Sequence, residues 1–432
     1  MELKDIILEQ NSHWSGKEIK SRYVRREIIS GFKLKSNFFE VITGVRRSGK
    51  STIFNILIQD LIQKQKARPK EILFINFDNP NFIPFYNNVQ KLDEIINTAE
   101  ILAQTKIKYV FLDEIQNILL WEKWVKAKYD QKIFKKIFVT GSNSKLLASQ
   151  YISRLSGRYF SYFNLTFSFS EFLESNKQKY YGKYADNFPI KNKLVALFDK
   201  YLKQGGFPEV VINNDADILK IYYQTILLKD VIDNNKIRDS FNLKQIAYWL
   251  ITNTTSLFSY NSIAKNFGIH ENTVKEYIEY LIQSYLFYEL KKYDFSLKKQ
   301  NINKRKIYCA DNGLISQVGF NFSKNNGRYL ENLVFLQLKR RKQECFYHNE
   351  KYECDFVVKR GIKIQQAIQV CYEINDKNKK REFNGLKEAM ESYGLKQGLI
   401  ITHNQSETIK KKNKIITIIP AWRWLLEIVD KV

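Results

Sequence analysis

The stretch Phe38–Ile62, FFEVITGVRRSGKSTIFNILIQDLI, constrains this chain more than any other segment. A run of β-formers (Phe38–Thr43) meets Gly44-x-x-x-x-Gly49-Lys50-Ser51, and an amphipathic helical pattern follows at once. Strand, glycine-bounded loop and helix, in that order, make a phosphate-binding loop. Its glycines let backbone N–H groups approach phosphate oxygens, and the amino end of the helix adds its positive dipole. Gly44, Arg46, Arg47, Ser48, Gly49, Lys50, Ser51 and Thr52 are therefore the expected nucleotide contacts. Lys50 would face the β- and γ-phosphates of ATP, and the Ser51 hydroxyl would ligate Mg²⁺.

Hydrolysis needs a second, acidic strand. KIKYVFLDEIQN supplies it: Tyr109–Leu112 reads as a buried parallel strand that ends in Asp113-Glu114. Asp113 would hold Mg²⁺ through water and Glu114 would orient the attacking water, because phosphoryl transfer needs mainly positioning and charge compensation. The next strand, in KKIFVTGSNSKLL, ends at Thr140-Gly-Ser142-Asn143, where Asn143 or Ser142 could touch the γ-phosphate. INFDNP (Ile75–Pro80) reads as a further strand with a polar tip.

These segments, with LSGR, SFSEF and YLKQGGFPEVV further on, resemble a group of prokaryotic AAA+-type P-loop ATPases that carry a C-terminal domain of restriction-endonuclease-like shape. The resemblance runs from about residue 20 to 430. It implies an α/β chain: an AAA+-type core with a parallel sheet (1–165), a helical lid (166–240), a winged helix-turn-helix (241–295) and a PD-(D/E)xK-like domain (296–432). It also implies a homo-oligomeric ring, expected to be a hexamer, in which a neighbour's arginine completes the ATP site. SRLSGRYF offers Arg154 and Arg158 for that role, and Arg158 matches the family position better. Arg46 and Arg47 could serve nucleotide, DNA or a neighbouring subunit, and their position does not choose among these.

Past the helical middle, Ser262–Phe267, Gly268-Ile269 and a helix from about Glu271 to Ser284 have helix-turn-helix spacing, with LFYELKKYD as the first strand of a wing. Asn272, Thr273 and Lys275 could reach DNA, but Glu271, Glu276 and Glu279 on the same helix argue against tight phosphate contact. KIYCADNGLIS reads as a strand followed by a loop. Then come a long helix with Glu331 near its start, a strand, ECDFVVKRGIKIQQAIQVC, a helix and a strand, the element order of PD-(D/E)xK nucleases. Glu331 and Asp355 match two of the metal-binding acids of that family. Gln369-Val370-Cys371 stands where acid-x-Lys is expected, so the site reads as degenerate and catalytically silent, with Lys379, Lys380 or Arg381 as substitutes one helix along.

The net charge of +25 and pI near 9.5 favour an anionic partner, expected to be duplex or branched DNA, although a lysine-rich surface would give the same number. Cys309, Cys345, Cys354 and Cys371 have no CxxC spacing, which excludes a structural zinc pattern and suits a reducing cytoplasm. MELKDIILEQ lacks the apolar core of a signal peptide, and no run approaches the ~18 apolar residues of a membrane span. The expectation is a cytoplasmic ATPase acting on DNA, with an ATP-controlled assembly switch and an ATP-dependent nuclease as the alternatives.

Overall fold

The computed structural model describes residues 2–16, 23–147, 157–178, 188–320, 326–411 and 413–426. The chain divides into two compact units, Met1–Asn164 and Leu165–Val432. Unit 1 opens with α1 (Leu3–Gln10) and then alternates strands and helices: β1 (Phe39–Thr43), α2 (Lys50–Gln65), β2 (Ile72–Asn76), α3 (Lys91–Ala103), β3 (Tyr109–Asp113), α4 (Trp121–Asp130), β4 (Lys136–Gly141) and β5 (Tyr159–Phe163). All five strands are parallel, in the order β2-β3-β4-β1-β5. Parallel strands covered on both faces need unbroken apolar runs, and β1, β3 and β4 are buried along their whole length. The register aligns Asn76 with Asp113 and Thr43 with Gly141. The polar tips of the strands therefore share one edge of the sheet, where open α/β sheets place their ligands.

β2 ends the sheet, and its outward backbone groups are satisfied by side chains from the amino-terminal segment. The Asn11 amide accepts from Phe74 N at 2.8 Å and donates to Phe74 O at 3.0 Å. The Gln10 amide does the same at Asn76, accepting from N at 2.8 Å and donating to O at 3.4 Å. Trp14 Nε1 donates to Ile72 O at 2.7 Å. α1 is held there by Ile6 and Ile7, which enter the same core as Leu92 and Ile95 of α3. An exposed sheet edge is a template for unwanted pairing, and this one is closed without a sixth strand.

Unit 2 begins with helices: α5 (Phe169–Ser175), α6 (Phe188–Gln204), α7 (Pro208–Asn213), α8 (Ile218–Thr225) running into a π-helical turn (Ile226–Asp233), and α9 (Ser240–Thr252). β6 (Leu257–Phe258), α10 (Tyr260–Phe267), α11 (Glu271–Gln283), β7 (Phe287–Lys291), α12 (Leu297–Ile302) and β8 (Arg305–Cys309) follow, with an antiparallel sheet in the order β6-β8-β7. α10 starts two residues before the expected Ser262, because Ser259 caps it, and it ends on Gly268 at φ 65°. The remaining elements are α13 (Asn312–Val318), α14 (Asn326–Arg340), β9 (Glu344–Asn349), β10 (Glu353–Arg360), β11 (Lys363–Val370), α15 (Lys379–Ser392), β12 (Gln397–Thr402), β13 (Glu407–Lys411), β14 (Lys414–Pro420) and α16 (Ala421–Leu426). Their six-stranded sheet runs β13-β14-β12-β11-β10-β9.

The expected loop after KIYC is instead helix α13. Asp311 caps it by accepting from Gly313 N at 2.8 Å, so residues that read as a turn start a helix. The same carboxylate accepts from Gly206 N at 2.8 Å and Thr166 Oγ1 at 2.7 Å. A Cβ on Gly205, at φ 75°, would lie 1.7 Å from Asp311 Oδ1, and one on Gly206 would lie 2.4 Å from Phe167 O. The glycine pair of YLKQGGFPE is thus the seat of Asp311. Burial pushes that carboxyl up to about 6, against the pull of its bonds to Gly206 and Thr166. No described helix is long and apolar enough to cross a membrane.

Replacing Asn11 with Ala leaves Phe74 N–H and C=O without their partner. The expected cost is ~1–3 kcal/mol, read as a lower urea midpoint at unchanged m-value. A loss below ~0.5 kcal/mol would mean that water serves this edge equally well.

Candidate functional sites

In unit 1 the loop between β1 and α2 is shaped by backbone that most residues avoid. Arg47 has φ 68° and Gly49 φ 91°, and a Cβ on Gly44 would lie 2.1 Å from Asn164 O. Two residues that the sequence patterns did not single out hold the loop from outside. Asn164 Nδ2 donates to Ser48 O at 2.9 Å and to Ser48 Oγ at 3.1 Å, and Arg26 Nη1 donates to Ser48 O at 2.8 Å. Asn164 N also bonds Thr43 O at 2.7 Å, which ties the exit of β5 to the tip of β1. Both lie too far along the chain for motif spacing to reveal them.

Lys50, 4% exposed, donates to Gly44 O at 3.2 Å and Val45 O at 3.4 Å and pairs with Glu114 Oε1 at 3.3 Å. Ser51 Oγ donates to Asp113 Oδ2 at 2.5 Å, and Thr140 Oγ1 donates to Asp113 Oδ1 while accepting from Glu114 N at 3.0 Å. Glu114 itself takes a left-handed backbone, φ 53°, and its Oε2 accepts from Gln116 Nε2 at 2.6 Å and Ser142 N at 3.1 Å. The two adjacent carboxyls are driven apart. Burial and the Glu114 charge raise Asp113. Burial also opposes ionised Glu114, but the Lys50 ammonium and then Arg46 outweigh it and hold Glu114 below the usual carboxylate range. Lys50, Ser51, Asp113, Glu114 and the turn carrying Ser142 and Asn143 are thus gathered at the carboxyl ends of β1, β3 and β4. Ser51 and Asp113 suit Mg²⁺, which keeps most of its ligands as water and phosphate oxygen.

Arg46 pairs with Asp78 at 2.9 Å, while Arg47 and Thr52 stay on the loop and the first helical turn. Arg158 stands at the other end of the sheet: its carbonyl accepts from Phe39 N, its Nε lies 3.4 Å from Asp130, and its guanidinium covers Tyr129. A five-residue strand spans roughly 16 Å, so Arg158 lies far from the phosphate loop of its own chain. Arg154 falls outside the described residues.

In unit 2, Glu331 on α14 and Asp355 on β10 come together around a residue that no motif suggested. Lys306 on β8, 2% exposed, places Nζ 2.9 Å from Glu331 Oε1, 2.9 Å from Asp355 Oδ1 and 2.7 Å from Glu353 Oε1. Burial works against its charge, but Asp355 and Glu331 outweigh that and raise Lys306 well above the usual lysine value. Burial and the Asp355 charge raise Glu331, whose Oε1 also accepts from Tyr308 OH at 2.8 Å. Gln369 accepts from Asp355 N at 3.3 Å and donates to Glu382 Oε2 on α15 at 2.7 Å. Cys371 turns to Glu373 O instead, and burial pushes its thiol up to about 12. All three substitutes on α15 are exposed, and of them Arg381 lines the cleft and pairs with Glu382 at 2.5 Å. Among the described residues no group of three or more His, Cys, Asp or Glu is set to hold a metal ion.

Residues 36–173 match the family described as an AAA domain, and residues 195–325 match a domain of unknown function, DUF8612. The uncharacterized protein MJ1544 of Methanocaldococcus jannaschii is 33% identical over 428 residues, covering 94% of this chain and 92% of its own. An uncharacterized Haemophilus influenzae protein is 31% identical over 353 residues, covering 78% of this chain and 84% of its own. Among solved structures, C. elegans PCH-2 is 12% identical, covers 64% of this chain and 66% of its own, and has a TM-score of 0.29.

Asn164→Ala keeps every group that faces the phosphates but frees the outer side of the loop. Two lost hydrogen bonds of ~1 kcal/mol each should weaken ADP binding by about tenfold or more in a calorimetric titration. Unchanged affinity would show that Arg26 alone holds the loop.

Proposed function

The chain belongs to the same family as the Methanocaldococcus jannaschii protein MJ1544, and on that premise we propose that it is an AAA-type ATPase that acts on DNA. One observation carries the ATPase reading: the buried Lys50 ammonium lies between the phosphate loop and Glu114, with Ser51 and Asp113 beside it. In this reading Lys50 and the loop N–H groups hold the β- and γ-phosphates, and Glu114, ionised and aimed by Gln116 and Ser142 N, orients water. Ser51 and Asp113 hold Mg²⁺, which neutralises phosphate charge when bound. Asn143 reaches the same water, and Arg158 serves a neighbouring subunit in a ring, expected to be hexameric. Residues 1–165 are the core, 166–240 the lid, 241–295 the winged helix and 296–432 a nuclease-like domain that does not cut.

The DNA part rests on charge and its placement. Helix α11 is a poor candidate, because Lys275 is paired with Glu271 at 2.7 Å and Glu276 and Glu279 share its face. The connection between β7 and β8 is a better one. Lys298, Lys299 and Lys304 are exposed there, and Phe295, Leu297 and Ile302 are 86%, 75% and 72% exposed. Exposed lysines suit a nucleic-acid backbone, whose phosphates meet the ammonium groups, and the Phe295 ring among them could stack on an unpaired base at a branch or end.

The ATP site is tested by Lys50→Ala, which should lose nucleotide binding, and Glu114→Gln, which should keep binding while turnover falls ~10²-fold or more. Mixed Arg158→Ala and Lys50→Ala subunits should regain some turnover. Normal hydrolysis by Glu114→Gln would sink the assignment, and full activity in a demonstrated monomer would sink the ring.

The DNA contact is tested by fluorescence anisotropy between 50 and 200 mM salt. Replacing Lys298, Lys299 and Lys304 with Ala should weaken duplex binding and flatten the log–log salt slope by up to about 3. No binding by the unaltered protein at the lowest salt would end the DNA reading. An unchanged slope would end only this placement.

A further inference from the structure

We propose that Lys306 is the resident cation of the unit 2 pocket and stands where a metal nuclease holds its divalent ion. The inference rests on reading that pocket as a non-cutting relative of a PD-(D/E)xK site. The resemblance implies Mg²⁺ between Glu331 and Asp355, and the donor set does not fit it. The oxygens that would face the ion, Glu331 Oε1 and Asp355 Oδ1, are each 2.9 Å from the Lys306 ammonium, and Glu353 Oε1 is at 2.7 Å. The second Asp355 oxygen is taken by Val370 N at 2.9 Å. A divalent ion placed among these oxygens would lie within a few ångströms of a fixed positive charge, with little solvent to screen the repulsion.

Lys306 is not a passing visitor. It sits inside β8, the middle strand of its sheet, paired with Leu257 of β6 on one side and Leu290 of β7 on the other. Its side chain is 2% exposed, and turning it away would give up all three carboxylate contacts. The three carboxylates stand within 2.9 Å of the ammonium, and removing one member of such a buried set leaves the others uncompensated. The pocket therefore takes a monovalent nitrogen cation supplied by the chain itself, and its occupancy does not respond to free divalent metal.

The test is Mn²⁺ binding by the full chain, followed by the EPR signal of the free ion, in an Asp113→Asn background that silences unit 1. With Lys306 present, no site tighter than about 1 mM is expected. Lys306→Ala should gain one site at least tenfold tighter, and Lys306→Ala with Asp355→Asn should lose it again. Mn²⁺ should also raise the melting temperature of Lys306→Ala but not that of the protein with Lys306. A site tighter than about 1 mM beside Lys306, abolished in an Asp355→Asn protein shown to be folded by its circular dichroism, would overturn the proposal. A folded Lys306→Ala that gains no site would overturn it as well. Cleavage of DNA is scored separately: Mn²⁺-dependent cutting lost in Asp355→Ala would overturn the non-cutting reading itself.

Discussion

A lysine buried in a protein must find carboxylates or carbonyls to replace its lost water, and this requirement organises both units. Three lysines are buried among the described residues: Lys50, Lys136 and Lys306. Lys136 shows the structural use. It pairs with the fully buried Glu40 at 2.5 Å and donates to the carbonyls of Lys33, Ser36 and Phe38 at 2.9, 2.9 and 2.5 Å. That clamp fixes the loop leading into β1, so it also fixes where β1 delivers Gly44. Lys50, at the start of α2, and Lys306, within β8, repeat the arrangement with different partners. Lys50 leans on loop carbonyls and one carboxylate, partners that a phosphate can take over. Lys306 is enclosed by three carboxylates, which leave it nothing to exchange for.

What was legible in the sequence follows from how local each feature is. The strand, loop and helix around Gly44–Ser51 lie within one stretch of chain, and the Asp113-Glu114 strand end announces itself by composition, so both were readable and the AAA domain match covers them. The unit 2 pocket was half readable. Glu331 and Asp355 sit on elements with a recognisable order, but Lys306 reaches Asp355 across 49 residues and no periodicity links them. α13 was misread because Asp-Asn-Gly is turn chemistry until a helix follows, and then Asp311 is its cap. The closure of β2 by Gln10 and Asn11 left no trace in the pattern, since polar residues at the end of a short helix look like any surface.

Net charge needed the structure to become informative. The excess of +25 says nothing about place. On α11 the lysine is already matched by glutamate, whereas in the β7–β8 connection three exposed lysines stand beside exposed apolar groups. The same sign of charge thus has opposite meanings on neighbouring elements. Only the unmatched one can displace counterions from a polyanion, because a paired lysine must first give up its carboxylate.

Gln369 is the residue that most invites the word decay, and its contacts argue otherwise. Its amide is used at both ends, accepting from Asp355 N and donating to Glu382. A glutamate at 369 could keep the first bond but would set its second oxygen against the Glu382 carboxylate at the distance where the amide now donates, 2.7 Å. Glu382 is buried and already fixed by Arg381. Two carboxylates that close could not both ionise, and one would have to carry a proton. Beside the Glu382 carboxylate on α15, position 369 needs a donor, and the positive charge next to Asp355 comes from Lys306 on β8. On the proposed nuclease-like reading, Gln369 at the end of β11 and Cys371 just past it stand beside an acid and a cation that other elements supply.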